Sequence, residues 1–182
     1  MKTSFNPILY PIGGHSWRSA VHLLRMLKVK VSNLTLKDTL QSHPDYPSLL
    51  SISDSLNRWN IRTLAVKITV DKLDELSCPF IAHLEIKGGL FTTIKAVNDK
   101  EILYLNNRGK AQVLDRAEFL EQWNGVSLLA EADEYSGEPL YKQTIKKEWW
   151  ANMRIPLTLV LLILFGIIQG GAIITRHDPG AV

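Results

Sequence analysis

The chain has 182 residues, 21 Lys and Arg against 18 Asp and Glu, 46% apolar residues and one cysteine. That composition excludes a disordered polymer, and the lone Cys78 excludes an intrachain disulfide, a Cys-x-x-Cys redox pair and a thiolate-rich zinc site. The net charge of +3 does not indicate nucleic acid: residues 1–140 carry 16 basic and 16 acidic side chains, and the whole excess lies in 141–182, flanking an apolar run.

The opening MKTSFNPILYPIGG is too short in apolar residues, and too broken by Pro7 and Pro11, to be a signal peptide. From His15 to Lys28, residues Trp17, Val21, Leu24 and Leu27 recur near helical spacing and predict a first helix. Thr35 followed by Asp38 reads as a cap with an acid three residues on, opening a short helix to about Gln41. HPDYP is a turn. Pro47 then stands where a first helical residue belongs, with Leu49, Ile52, Ser53, Leu56 and Trp59 on one face and Asn60 at the end.

Strands follow. Arg62–Val70 is rich in branched residues, and Asp71–Leu76 is a helical turn. Pro79–Lys87 alternates Phe80, Ala82, Leu84 and Ile86 against Ile81, His83, Glu85 and Lys87 until Gly88-Gly89 breaks it. Leu90–Val97 and Glu101–Leu105 flank a hairpin loop, Asn106–Gly109 turns, and Lys110–Leu114 is the next strand. Asp115 and Glu118 start a helix bearing Phe119, Leu120 and Trp123, and Val126–Ala130 closes the set. Helices followed by an antiparallel meander predict an α+β domain.

Glu131–Pro139 reads as an acidic linker, and Lys142–Trp150 as a helix leading into Ile155–Thr175, which has 21 residues and no charge. At 1.5 Å per residue that run covers about 30 Å, the depth of a bilayer core, and predicts a transmembrane helix. Pro156 falls in its first turn. Trp149 and Trp150 sit at headgroup depth, with Arg154 and Arg176 at the two interfaces. Lys142, Lys146, Lys147 and Arg154 outweigh Glu148 on the N-terminal side, while Arg176 and Asp178 cancel on the other. Positive charge stays inside, so residues 1–150 are expected in the cytoplasm. Gly166 and Gly170 form a GxxxG through which two such helices could pair, and Gln169 is a polar residue within the span.

The stretches LTLKDTL, YPSLLSISDSLNRWNI, LDELSCPFIAHLEI, GGLFTTIKAVNDKEILYLNNRGK and VLDRAEFLEQWNGVSLLAEA, in this order, resemble the bacteriocin-processing cysteine peptidase domain. That papain-like domain cuts double-glycine leaders at the front of bacterial exporters. HPDYPSLLSISDSLN and the KKEWW lead into an apolar helix resemble a narrower group, in which the domain precedes a vitamin K epoxide reductase-like membrane domain. The resemblance implies a peptidase-like domain over 1–131, a linker and juxtamembrane segment over 132–150, a transmembrane helix over 151–176 and a tail over 177–182.

The family's chemistry needs a thiolate at the first helix, a histidine, a carboxylate to orient it and an oxyanion glutamine. Carried over by position, the thiol belongs near Trp17, Arg18 or Ser19, the histidine at Leu90 and the carboxylate at Asn106 or Asn107; no glutamine precedes Gln41. None of these can do the corresponding work. Ser19 and His22 stand i, i+3 on one helix, but no acid is placed to orient His22. Cys78 lies near His83 in sequence, yet at a strand start, where it reads as a small buried thiol. His15, His43 and His177 form no metal-ligand pattern, so neither metal nor cofactor is expected.

The expected function is therefore a catalytically inactive, membrane-anchored binding module at the bacterial inner membrane. Its partners would be the lipid bilayer and a double-glycine leader peptide, an exporter, or a reductase membrane domain. The alternatives are the front part of a truncated or split vitamin K epoxide reductase-type thiol–disulfide oxidoreductase, since the sequence stops seven residues after the span, or an active leader peptidase.

Overall fold

The computed structural model describes residues 16–86, 89–152, 159–162 and 164–165. The chain divides into two compact units, Met1–Tyr141 and Lys142–Val182.

The first unit opens with three helices, α1 (Ser16–Met26), α2 (Asn33–Gln41) and α3 (Leu49–Asn57). Strand β1 (Arg62–Lys67) and a 3-10 turn (Val70–Glu75) lead to β2 (Phe80–Leu84), β3 (Leu90–Val97), β4 (Glu101–Leu105) and β5 (Ala111–Asp115). Helix α4 (Arg116–Gln122) and β6 (Trp123–Glu131) complete it. The architecture is α+β with one antiparallel sheet in the order β1-β6-β2-β3-β4-β5.

Two helix starts differ from the sequence expectation. The cap of α2 is Ser32, whose hydroxyl accepts the Thr35 N–H at 3.3 Å, so Thr35 lies inside the helix. Helix α3 starts after Pro47: Ser48 and Ser51 exchange hydroxyl-to-backbone bonds of 3.0 and 3.2 Å, a reciprocal cap that needs no proline. Asp115 caps α4 as its position predicts, accepting the Ala117 N–H at 2.9 Å.

Strands β2 to β5 form the expected meander, but β6 does not continue it. It returns between β1 and β2, where Leu128 faces Ala65 on one side and Ile81 on the other. Its apolar residues point both ways, Leu128 into one core and Leu129 toward the other, so the strand is covered on both faces. The tight corner before it requires Gly125, at φ +81°, because a Cβ there would strike the Ile68 carbonyl.

Each face of the sheet has its own core. Leu23, Leu24, Leu36, Leu40, Ile52 and Leu56 of the helices bury Ile81 and Leu128 on one face. Phe80, Leu84, Ile94, Ile102, Phe119 and Trp123 pack on the other. Strand β2 is thus buried on both sides, where its alternation suggested one polar face.

The acidic stretch read as a linker is hydrogen-bonded across the helical loops. Gly137 N–H donates to Trp59 O and Glu138 N–H to Lys30 O, each at 2.9 Å. The Ser136 hydroxyl donates to Asn60 O at 2.7 Å, and the Ser32 N–H donates to the Glu138 carboxylate at 3.0 Å. Glu138 therefore satisfies a donor at the start of α2 from 106 residues away.

Helix α5 (Tyr141–Asn152) leads into the second unit. Trp149 and Trp150 on it are exposed, their rings edge to face with centroids 5.0 Å apart. Leu159–Leu162, Leu164 and Phe165 are helical and exposed. Among the described residues no helix is long and apolar enough to cross a membrane. Most of the expected span, with Arg154, Gly166, Gln169, Gly170 and Arg176, lies outside the described residues, as do His15, His177 and Gly88.

Candidate functional site

Three segments carried over from the family resemblance meet in space: the first turns of α1, the start of β3, and the β4–β5 turn. Helix α1 buries Ala20, Val21, Leu23 and Leu24 and presents Ser16, Ser19 and His22 inward with them. Two hydrogen bonds fix it to β3. The Ser19 hydroxyl donates to Phe91 O at 2.7 Å, and the Thr93 hydroxyl donates to Ser19 O at 2.9 Å. A buried hydroxyl aimed at a backbone carbonyl is committed to holding helix and strand together.

The β4–β5 turn closes on itself through Gly109 N–H to Asn106 O at 2.8 Å. The Asn106 side-chain oxygen accepts the N–H groups of Arg108 and Lys110 at 2.9 and 3.0 Å. Arg18 reaches over to donate to Asn107 O at 3.2 Å. So Arg18 reaches the β4–β5 turn, while the neighbouring Ser19 is tied to β3. Asn106, however, is occupied in building the turn.

Leu90 behaves differently. Its side chain packs with the core on the far face of the sheet. The neighbouring Phe91 packs against the core on the α1 face. The strand's alternation thus gives the α1-facing place at the start of β3 to Phe91, one residue on, and its ring cannot accept a proton either.

An imidazole nevertheless lies close by. His22 sits beneath the β4–β5 turn, so near that a Cβ on Gly109 would be 3.0 Å from its Cε1. Its Nε2 is buried and has no hydrogen-bond partner among the described residues. Desolvation holds its pKa below the usual histidine value, and Arg25 and Arg18 push the same way against the backbone of Asn107 and Asn106. His22 is an inward-turned group whose burial favours the neutral form.

A second imidazole faces the same strand, β3. His83 on β2 stands directly across from Phe91, ring centroids 5.1 Å apart. Its Nδ1 is 2.7 Å from the Asn124 amide nitrogen, and a Cβ on Gly89 would meet its Nε2. The alternation of β2 places His83 with Ile81, but nothing local in sequence joins it to Asn124, which arrives on the returning β6.

Cys78 is exposed, which corrects the buried reading: it precedes β2, outside both cores. Nearby chain still removes enough water to push its thiol above the ordinary value, opposed in part by the Val97 backbone. Four residues lie between it and His83, most of them extended, a span on the order of 15 Å, so the two do not form a pair. His43 links α2 to α3: its Nδ1 accepts the Asp45 N–H at 3.1 Å and its Nε2 lies 3.3 Å from Asp54. Among the described residues no three His, Cys, Asp or Glu gather as a metal site.

No curated protein matches the chain. Among solved structures, a double glycine motif protease from an AMS/PCAT transporter, in complex with the leader peptide, superposes with a TM-score of 0.59 at 15% identity, covering 70% of this chain and 91% of that one. The N-terminal peptidase C39 like domain of a toxin secretion ATP-binding protein from Vibrio parahaemolyticus gives 0.54 at 17% identity, covering 64% and 95%. The peptidase domain of Streptococcus ComA, a bi-functional ABC transporter, gives 0.53 at 14%, covering 66% and 91%. These similarities establish the papain-like α+β fold. The model of the peptidase C39 family matches residues 19–134, and over that stretch the chain belongs to this family.

Proposed function

We propose that the chain is a peptide-binding member of the C39 family that does not cut its ligand. One observation supports this reading: Ser19, one of the three residues to which the family resemblance carries the nucleophile, directs its hydroxyl to the Phe91 carbonyl. A serine needs a base to become a nucleophile. The imidazole of α1, His22, has no carboxylate partner among the described residues and is buried against Gly109, and the resemblance carries the orienting carboxylate to Asn106 or Asn107. A neutral amide cannot stabilise an imidazolium as a carboxylate does.

The ligand is a peptide with a double-glycine leader. The AMS/PCAT transporter protease, similar to this chain in fold, is held in complex with such a leader. The peptide would lie along the junction of α1, β3 and the β4–β5 turn. Ile155–Thr175 anchors the domain in the bacterial inner membrane, with residues 1–150 on the cytoplasmic side. Length, absence of charge and the flanking Trp149, Trp150 and lysines support that placement.

Titration calorimetry of the full chain in detergent against a synthetic double-glycine leader tests the binding. Saturable heat with the leader intact at the end supports the reading; absence of heat refutes it. A reporter fused after Val182, active only outside the cytoplasm, tests the orientation. Activity is expected, and a silent reporter that becomes active when moved to the N-terminus would reverse the topology.

A further inference from the structure

We propose that α1 and the β4–β5 turn together form a cationic docking surface for an acidic peptide segment. This rests on the peptide-binding reading above and adds the chemistry of what is bound.

The first domain is neutral in total, yet its charges are segregated. No Asp or Glu precedes Asp38, and none lies between Glu101 and Asp115. These two acid-free stretches are distant in sequence and adjacent in the fold. Helix α1 places Arg18 and Arg25 four residues before and three after His22, on one side of the helix. The turn lies against His22 through Gly109 and brings Arg108 and Lys110 to the same place. All four cations are exposed, and among the described residues none of them makes an ion pair. Arg25 and Arg18 also depress the His22 pKa, as an unneutralised positive field does.

Beside this cluster the Trp17 ring has the Arg18 guanidinium carbon 5.3 Å from its centroid and the Lys37 ammonium at 5.8 Å. A carboxylate-rich partner would neutralise these like charges on binding. Guanidinium groups suit carboxylates, which they take through two parallel hydrogen bonds. The cluster is small for a duplex, whose binders neutralise a longer row of phosphates. It is also assembled from two separate elements, unlike the contiguous basic segments that hold anionic lipid. An acidic peptide entering the α1–β3 junction would pass along it.

The test uses the full chain in nanodiscs of zwitterionic lipid and two fluorescent leader peptides ending in Gly-Gly. One carries Asp and Glu at its polar positions, the other Asn and Gln at the same places. Anisotropy is expected to show the acidic peptide binding about tenfold more tightly, with the gap closing as salt is raised. The double variant R25E/R108E is expected to lose that preference while keeping a cooperative thermal unfolding transition, since both side chains are exposed. Equal binding of the two peptides overturns the cationic surface and leaves the peptide-binding reading standing. Failure of both peptides to bind overturns the two together. Tighter capture of an oligonucleotide, or of phosphatidylserine vesicles, than of the acidic peptide overturns the assignment to a peptide.

Discussion

The two faces of the sheet are built on different terms. The face away from the helices buries Phe80, Ile94, Ile102, Phe119 and Trp123, with Phe119 and Trp123 stacked 5.7 Å apart. Its polar work is done at the rim, where Arg116 grips the Asp74 carboxylate through two bonds of 2.7 and 2.8 Å. The helical face buries an equally apolar set but mixes Ser16, Ser19, His22 and Thr93 into it, and Ser16 Oγ and His22 Nε2 have no partner among the described residues. Buried polar atoms without partners are costly. Among the described residues they also occur at Ser55, Gln122 and Ser127, so they do not by themselves separate the two faces; what sets the helical face apart is the pair of hydroxyl bonds that tie α1 to β3.

The sharpest contrast comes from cutting one large side chain from the apolar face. Phe119→Ala is expected to cost about 3–5 kcal/mol in denaturant unfolding, the range for an aromatic lost from a closed core. A cost below 1 kcal/mol would mean that this face is loosely packed. On the helical face, Ser19→Ala removes one hydroxyl and strands the Phe91 carbonyl, with an expected cost of about 1–3 kcal/mol. A neutral result would free Ser19 from its structural role and reopen the question of its chemistry.

The faces also separate by pH. His22 has a lowered pKa in the folded chain, so the unfolded chain binds its proton first and stability rises with pH. That contribution is complete above the ordinary value of 6.5 and declines as pH falls below it toward the folded pKa. The urea midpoint is expected to fall on acidification from neutral pH, and His22→Gln to flatten that limb. The Asp74–Arg116 contact acts lower: the carboxyl is held below its ordinary 3.8, so its contribution is present above that value and fades beneath it. A His22→Gln variant with an unchanged acid limb would move the titrating group elsewhere.

The smallest expected effect lies outside both cores. Cys78 has a raised pKa despite its exposure, so at neutral pH it should react with iodoacetamide more slowly than a free thiol. Labelling faster than glutathione would reveal an activated sulfur and contradict the assignment of Cys78 as inert.

Much of this arrangement is legible in sequence, for physical reasons. Helical spacing in α1 and alternation in β2 and β3 come from burying one face of an element, and such periods survive in a single chain. The Asp115 cap and the Asn106–Gly109 turn are equally local. What stayed hidden was long-range. Nothing near Val126–Ala130 says that β6 slots between β1 and β2. The His83–Asn124 contact and the bond from Ser32 to Glu138 join residues 41 and 106 positions apart. The exchange of Leu90 for Phe91 on the α1 face turned on one residue of strand register, which flips every side chain and cannot be fixed without the partner strand.

Incubating the full chain with a double-glycine leader fused to a short cargo, and weighing the products by mass spectrometry, probes the central claim most directly. The leader should bind and leave the incubation at its original mass. Two fragments separated after the second glycine, lost again on Ser19→Ala or on alkylating Cys78, would show that this C39 domain cuts with groups assigned here to structure.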